Sequence, residues 1–73
     1  MTYRELMDKA QRHFDPQHKG IIKGYPVRVL YCISRMADKS GWDAPVAEDL
    51  LRETMTGSEV LDQGCVSAVL GLL

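Results

Sequence analysis

The side chains able to do chemistry are few and poorly spaced for it. His13 and His18 are the two imidazoles, five positions apart with Pro16 between them. They cannot share a helix face as the two histidines of an HExxH zinc site do. A zinc site would need both to converge with Cys32 and Cys65 from three separate segments, because neither cysteine stands in a CxxC or Cys/His spacing. A Cys/His nucleophile would need a thiolate. Both cysteines fall in apolar stripes, where burial raises a thiol pKa and makes it inert, so free core thiols in a reducing compartment are expected. The serines and aspartates build no nucleophile elbow, and the isolated glycines no phosphate cradle. The chain therefore reads as a non-enzyme with no metal and no cofactor.

Charge is the next resource. Residues 1–40 hold eight of the nine Lys and Arg against four acids, about +4, whereas residues 41–73 hold Arg52 alone against six acids, about −5. The net charge of −1 hides this split. A chain so divided offers surfaces of opposite sign to different partners. In the basic half Arg4, Lys9, Arg12, His13, His18, Lys19 and Lys23 are interleaved with Tyr3, Phe14 and Tyr25, a mixture enriched at protein and nucleic-acid interfaces. The plainer reading is a solvated helix face whose aromatics belong to the core. The acidic residues Asp43, Glu48, Asp49, Glu53, Glu59 and Asp62 serve as helix solubility, as repulsion of nucleic acid, or as a docking face for a basic protein surface. Trp42, between Gly41 and Asp43, is a core plug or a binding anchor.

These residues need elements to hold them, and 73 residues with 45% apolar content allow one core and one domain, 1–73. Thr2 with Glu5 three positions on forms a capping box, and Tyr3, Leu6, Met7, Ala10 and Phe14 then fall on one stripe of a first helix. Asp15-Pro16 ends it. Pro16, Gly20 and Gly24 make residues 16–25 a loop, with Ile21 and Ile22 as a lid on the core. Pro26 suits the first turn of a second helix that is apolar over most of its circumference, from Val27 through Tyr31 to Ala37, and ends at Ser40-Gly41.

Asp43 can cap a third helix with Ala44 and Pro45 in its first turn. Val46, Ala47, Leu50, Leu51 and Met55 form its buried side and Gly57 is its left-handed terminator. A short piece at Ser58–Leu61 follows, and Asp62 caps a last helix with Val66, Val69, Leu70 and Leu73 on one stripe. The expected fold is all-α, a compact bundle of about four short helices. No stretch approaches the ~20 apolar residues that span a bilayer, and no signal peptide opens the chain, so a cytoplasmic protein without membrane contact is expected.

The last two helices invite a helix-turn-helix comparison, with Gln63–Leu70 in the place of a recognition helix. From Glu53 to Leu73 there is no basic residue, and DNA affinity comes largely from Lys and Arg displacing counterions. A small DNA-binding repressor is thus the second reading, and self-association through Val66, Val69 and Leu70 a third.

In its size, helical build and lack of catalytic groups, with a capped basic helix from Thr2 to Phe14, a loop Asp15–Tyr25 and an acidic second half, the chain resembles the small bacteriophage proteins that bind host bacterial RNA polymerase and block or redirect transcription. Small inhibitors of host nucleases or defence complexes share the same features. The resemblance implies a non-enzymatic regulator in the host cytoplasm, with a host protein complex, RNA polymerase first, as its partner and no small-molecule substrate. Its docking surface is expected on the basic N-terminal part. Tyr3, Phe14 or Tyr25 would be anchors there, with Arg4, Arg12 and Lys19 giving orientation and Lys9, His13 and His18 part of the same binding surface.

Overall fold

The computed structural model describes residues 1–17, 19–20, 25–57 and 63–73, with the backbone alone at Tyr25. The fold is an all-α bundle. The described residues hold α1 (Tyr3–Phe14), α2 (Tyr25–Ser40), α3 (Glu48–Thr56) and α4 (Gln63–Gly71). The lid residues Ile21 and Ile22, the piece at Ser58–Leu61 and the expected cap Asp62 lie outside the described residues.

Helix α1 starts as its capping box requires. Thr2 is extended, its hydroxyl accepts the Glu5 N–H at 3.2 Å, and the Glu5 carboxylate accepts the Thr2 N–H at 3.4 Å. Tyr3, Leu6 and Ala10 form the buried stripe. At the other end Asp15 leaves the helix and turns the chain. Its carboxylate accepts the backbone N–H groups of Lys19 at 3.1 Å and Gly20 at 2.7 Å. Gly20 has a φ of 69°, a conformation that costs other residues strain.

Helix α2 is the spine. Its 16 residues rise about 24 Å, close to the 28 Å longest dimension of the molecule, and α1, α3 and α4 all pack against it. Val29, Ile33, Met36 and Ala37 supply its inner face. Contrary to the sequence expectation, α2 is not enclosed on most sides: Val27 is 44% and Tyr31 58% exposed. Three short neighbours leave the outer stripe of a four-turn helix bare. Gly41, with φ 100°, ends α2 by donating its N–H to the Ala37 carbonyl at 2.7 Å.

The segment 42–47 departs from expectation. Asp43 caps no helix, and Ala44 and Pro45 are not helical. Residues 41–44 form a turn, closed by the Ala44 N–H on the Gly41 carbonyl at 3.1 Å, and the segment then runs as a strap along the start of α1, with Pro45 in an isolated antiparallel bridge to Thr2. Its carbonyls are in demand there. Arg4 N–H donates to the Trp42 carbonyl at 2.9 Å and Tyr3 N–H to that of Ala44 at 3.3 Å, while Val46 N–H donates to the Met1 carbonyl at 2.8 Å. Helix α3 therefore begins only at Glu48, behind Ala47, with no side-chain cap and with Glu48 and Asp49 opposing the positive end of its dipole.

That late start leaves Val46 and Ala47, expected on the buried side of the helix, outside it, the first half-buried and the second exposed. Leu51 and Met55 point inward, whereas Leu50, expected to be buried, is 52% exposed. Gly57 is also not the left-handed terminator expected; it stays right-handed at φ −78° and donates to the Glu53 carbonyl at 3.0 Å. Val66 and Val69 of α4 complete the core. Every fully buried side chain described is apolar, save the Tyr3 hydroxyl, which accepts the Ala47 N–H at 3.4 Å.

The two adjacent leucines of α3 make a direct check of this register. Leu51→Ala should lower the unfolding free energy by about 2–5 kcal/mol in a urea titration. Leu50→Ala, one residue earlier, should change it by about 0.5 kcal/mol or less. Equal losses would mean that the helix is rotated from the position described.

Candidate partner-binding surface

No group of three or more His, Cys, Asp or Glu among the described residues is arranged to hold a metal ion. His13 is exposed and stands edge-on to the Phe14 ring, 5.0 Å between centroids. Cys32 and Cys65 are both half-buried and not in a disulfide.

The residues expected to form an N-terminal docking face are only partly available. Tyr3 is fully buried and is not an exposed anchor; as the first residue of α1 it points under the strap, where its hydroxyl holds Ala47. Phe14 is half-buried and packs on the core. Arg4 is exposed but engaged, its Nε 3.0 Å from Asp43 Oδ1 and its guanidinium 5.9 Å from the centre of the Trp42 ring. Arg12 pairs with Asp8 at 3.2 Å one turn earlier. Lys9 and Lys19 are exposed and make no ion pair among the described residues. His18 and the Tyr25 side chain lie outside the described residues. On α1, then, cations alternate with Glu5 and Asp8, and much of the positive charge is answered locally.

A second surface has more of what a partner needs. Along the outer side of α2, Val27, Tyr31, Arg35 and Lys39 recur at four-residue intervals and form one exposed stripe, with Arg28 beside it. The Tyr31 ring lies 5.8 Å from the Arg35 guanidinium, and Arg35 Nη1 donates to the Tyr31 hydroxyl at 3.1 Å. That hydrogen bond, with the charge of the Tyr31 hydroxyl group beside it, raises the Arg35 guanidinium above its ordinary range. An open groove of about 340 Å³ separates this stripe from α3, floored by Cys32 and Met36 and walled on the far side by Leu50 and Thr54. A second hollow of about 300 Å³ lies on the Tyr31 side, so Arg35 and Lys39 stand between the two. The carboxylate nearby, Asp38, is occupied by the Trp42 indole N–H at 3.1 Å.

Sequence reasoning missed this surface because it counted Val27, Tyr31 and Leu50 as core. The available signal was the i, i+4 spacing of Tyr31, Arg35 and Lys39, which sets charges and an aromatic on one line. Trp42 proves to be a half-buried plug, packed against the core and pinned by Asp38. Of the stripe Val66, Val69 and Leu70 expected for self-association, Val66 and Val69 are 2% and 0% exposed, consumed by the chain's own core, and Leu70 is half-buried. Comparison with known protein families, with curated proteins and with solved structures gives no match.

The exposed Arg4–Asp43 pair is expected to contribute little to stability. Asp43→Asn should cost about 1 kcal/mol or less in thermal or chemical unfolding, with the loss shrinking as salt is added. A large, salt-independent loss would assign Asp43 a backbone role in the strap.

Proposed function

We propose that this chain is a non-enzymatic protein-binding regulator that acts by occupying a surface of a larger assembly, with bacterial RNA polymerase as the target that the likeness to small phage inhibitors brings forward. The observation that supports it is the outer face of α2. Tyr31, Val27 and, across the groove, Leu50 remain exposed beside Arg28, Arg35 and Lys39. Exposed aromatic and aliphatic side chains ringed by arginine are the composition of interface hot spots, and an uncovered set of this kind on a small protein marks a contact surface. The described side chains offer shape and charge for adhesion, and the mechanism is occlusion of the partner or locking of one of its conformations.

The opposing polarity of the chain then has a use. Cations on α1 and α2 steer approach to an acidic patch, while Glu48, Asp49 and Glu53 on α3 keep nucleic acid phosphates away. Nor does α4 carry a Lys or Arg with which to enter a groove of DNA.

Immobilised bacterial RNA polymerase provides the test. The chain should bind it and inhibit promoter-directed transcription, and Arg28→Glu with Tyr31→Ala should weaken binding about tenfold or more, chiefly through faster dissociation. Lys9→Glu with Lys19→Glu should slow association modestly, and more at low salt than at high. Absence of binding removes the polymerase as target. Retardation of duplex DNA that falls steeply with salt would replace this reading with DNA binding.

A further inference from the structure

Resting on the reading of the chain as a binding module, the geometry points to its occupant: we propose that the groove between α2 and α3 receives an acidic amphipathic helix of the partner protein. The groove has an apolar floor and wall, from Cys32, Met36 and Leu50, and a cationic rim from Arg35 and Lys39, and among the described residues no carboxylate lines it. An occupant must therefore bring apolar side chains on one side and negative charge beside them.

Three features select a helix over other acidic ligands. Arg35 and Lys39 are one turn apart on α2, so their charges are spaced to meet carboxylates one turn apart on a second helix lying along the groove. Met36 and Leu50 stand on the two helices that form the groove, the arrangement in which a third helix lays its apolar ridge between two others. Methionine adapts to whichever aliphatic side chain enters. The described residues present no sheet edge to which an extended peptide could add as a strand, their one bridge being the Thr2–Pro45 contact. Nucleic acid fits poorly, since two rim cations over an apolar floor release few counterions and leave the phosphates facing Met36 and Leu50. The rim is also ready made: Tyr31 holds the Arg35 guanidinium in position before a partner arrives, and a preorganised side chain loses less freedom on binding.

The test uses the full chain and two synthetic peptides of about 16 residues, roughly four turns of helix. Both carry leucines at i, i+3, i+4 and i+7; one carries glutamates on the flanking positions and the other lysines. The glutamate peptide should bind about tenfold or more tighter than the lysine peptide and become helical as it does so. Arg35→Glu with Lys39→Glu should remove most of that preference, and Leu50→Ser should weaken binding of the glutamate peptide. Lys9→Glu with Arg12→Glu, outside the groove, should slow association modestly and leave dissociation of the glutamate peptide unchanged. All of these side chains are exposed, and circular dichroism of each variant verifies that the bundle is intact. Equal affinity for the two peptides, or binding of the glutamate peptide that survives both groove variants, overturns the proposal. A single-stranded oligonucleotide that competes the glutamate peptide away through Arg35 and Lys39 overturns it in favour of nucleic acid. Groove-dependent binding of the glutamate peptide by a chain that ignores RNA polymerase supports the groove and removes only the polymerase as target.

Discussion

The start of α1 is the joint on which the bundle depends. The first turn of any helix leaves backbone N–H groups without intrahelical partners, and burying them unpaired is costly. Here each is met: Glu5 by the Thr2 hydroxyl, Arg4 by the Trp42 carbonyl and Tyr3 by that of Ala44. Two of the three partners lie about 40 residues away in sequence. Closing this joint obliges residues 42–46 to stay out of a helix, and Pro45, which has no N–H to leave unsatisfied, sits comfortably within them. Tyr3 seals the arrangement from below, its ring in the core and its hydroxyl on Ala47 at the far end of the strap.

The rest of the architecture follows from that joint. With residues 42–47 taken by the strap, α3 is confined to Glu48–Thr56, and its register brings Leu51 and Met55 inward and leaves Leu50 outward. A longer α3 starting at Ala44 would have had about one more turn with which to cover α2. The short one covers only the inner and lateral parts of α2, so that the Tyr31, Arg35 and Lys39 stripe stays open and a groove forms between the two helices. The surface read as a binding site is in this sense a product of how the helix termini are satisfied.

Folding also reorganises the charge. Along the chain the cations come first and the anions last, yet Arg4 and Asp43, one from each half, meet at 3.0 Å, and Arg12 is answered by Asp8 within α1. The front of the molecule is therefore less positive than the order of residues implies. The positive potential best placed for contact lies on α2, where Arg28, Arg35 and Lys39 face Asp38 alone on the same helix. Exposed pairs of this kind contribute little to stability, so the effect of the arrangement is on where a partner is steered.

Local signals in the residues determined the class and most of the ends: the Thr2–Glu5 box started α1, Asp15-Pro16 stopped it, Gly41 closed α2, and the spacing of Tyr3, Leu6 and Ala10 named the inner face of α1. Such features act within four or five positions, so they are readable from order alone. The strap, the exposure of Tyr31 and Leu50 and the groove between α2 and α3 were decided by tertiary structure. Asp43-Ala44-Pro45 carries the local signature of a helix start, but the unpaired N–H groups of Tyr3 and Arg4 made those carbonyls worth more as acceptors than as the first turn of a helix. Which apolar side chains remain outside depends on how many neighbours reach a given face, a quantity that belongs to the packed bundle and not to any one of its segments.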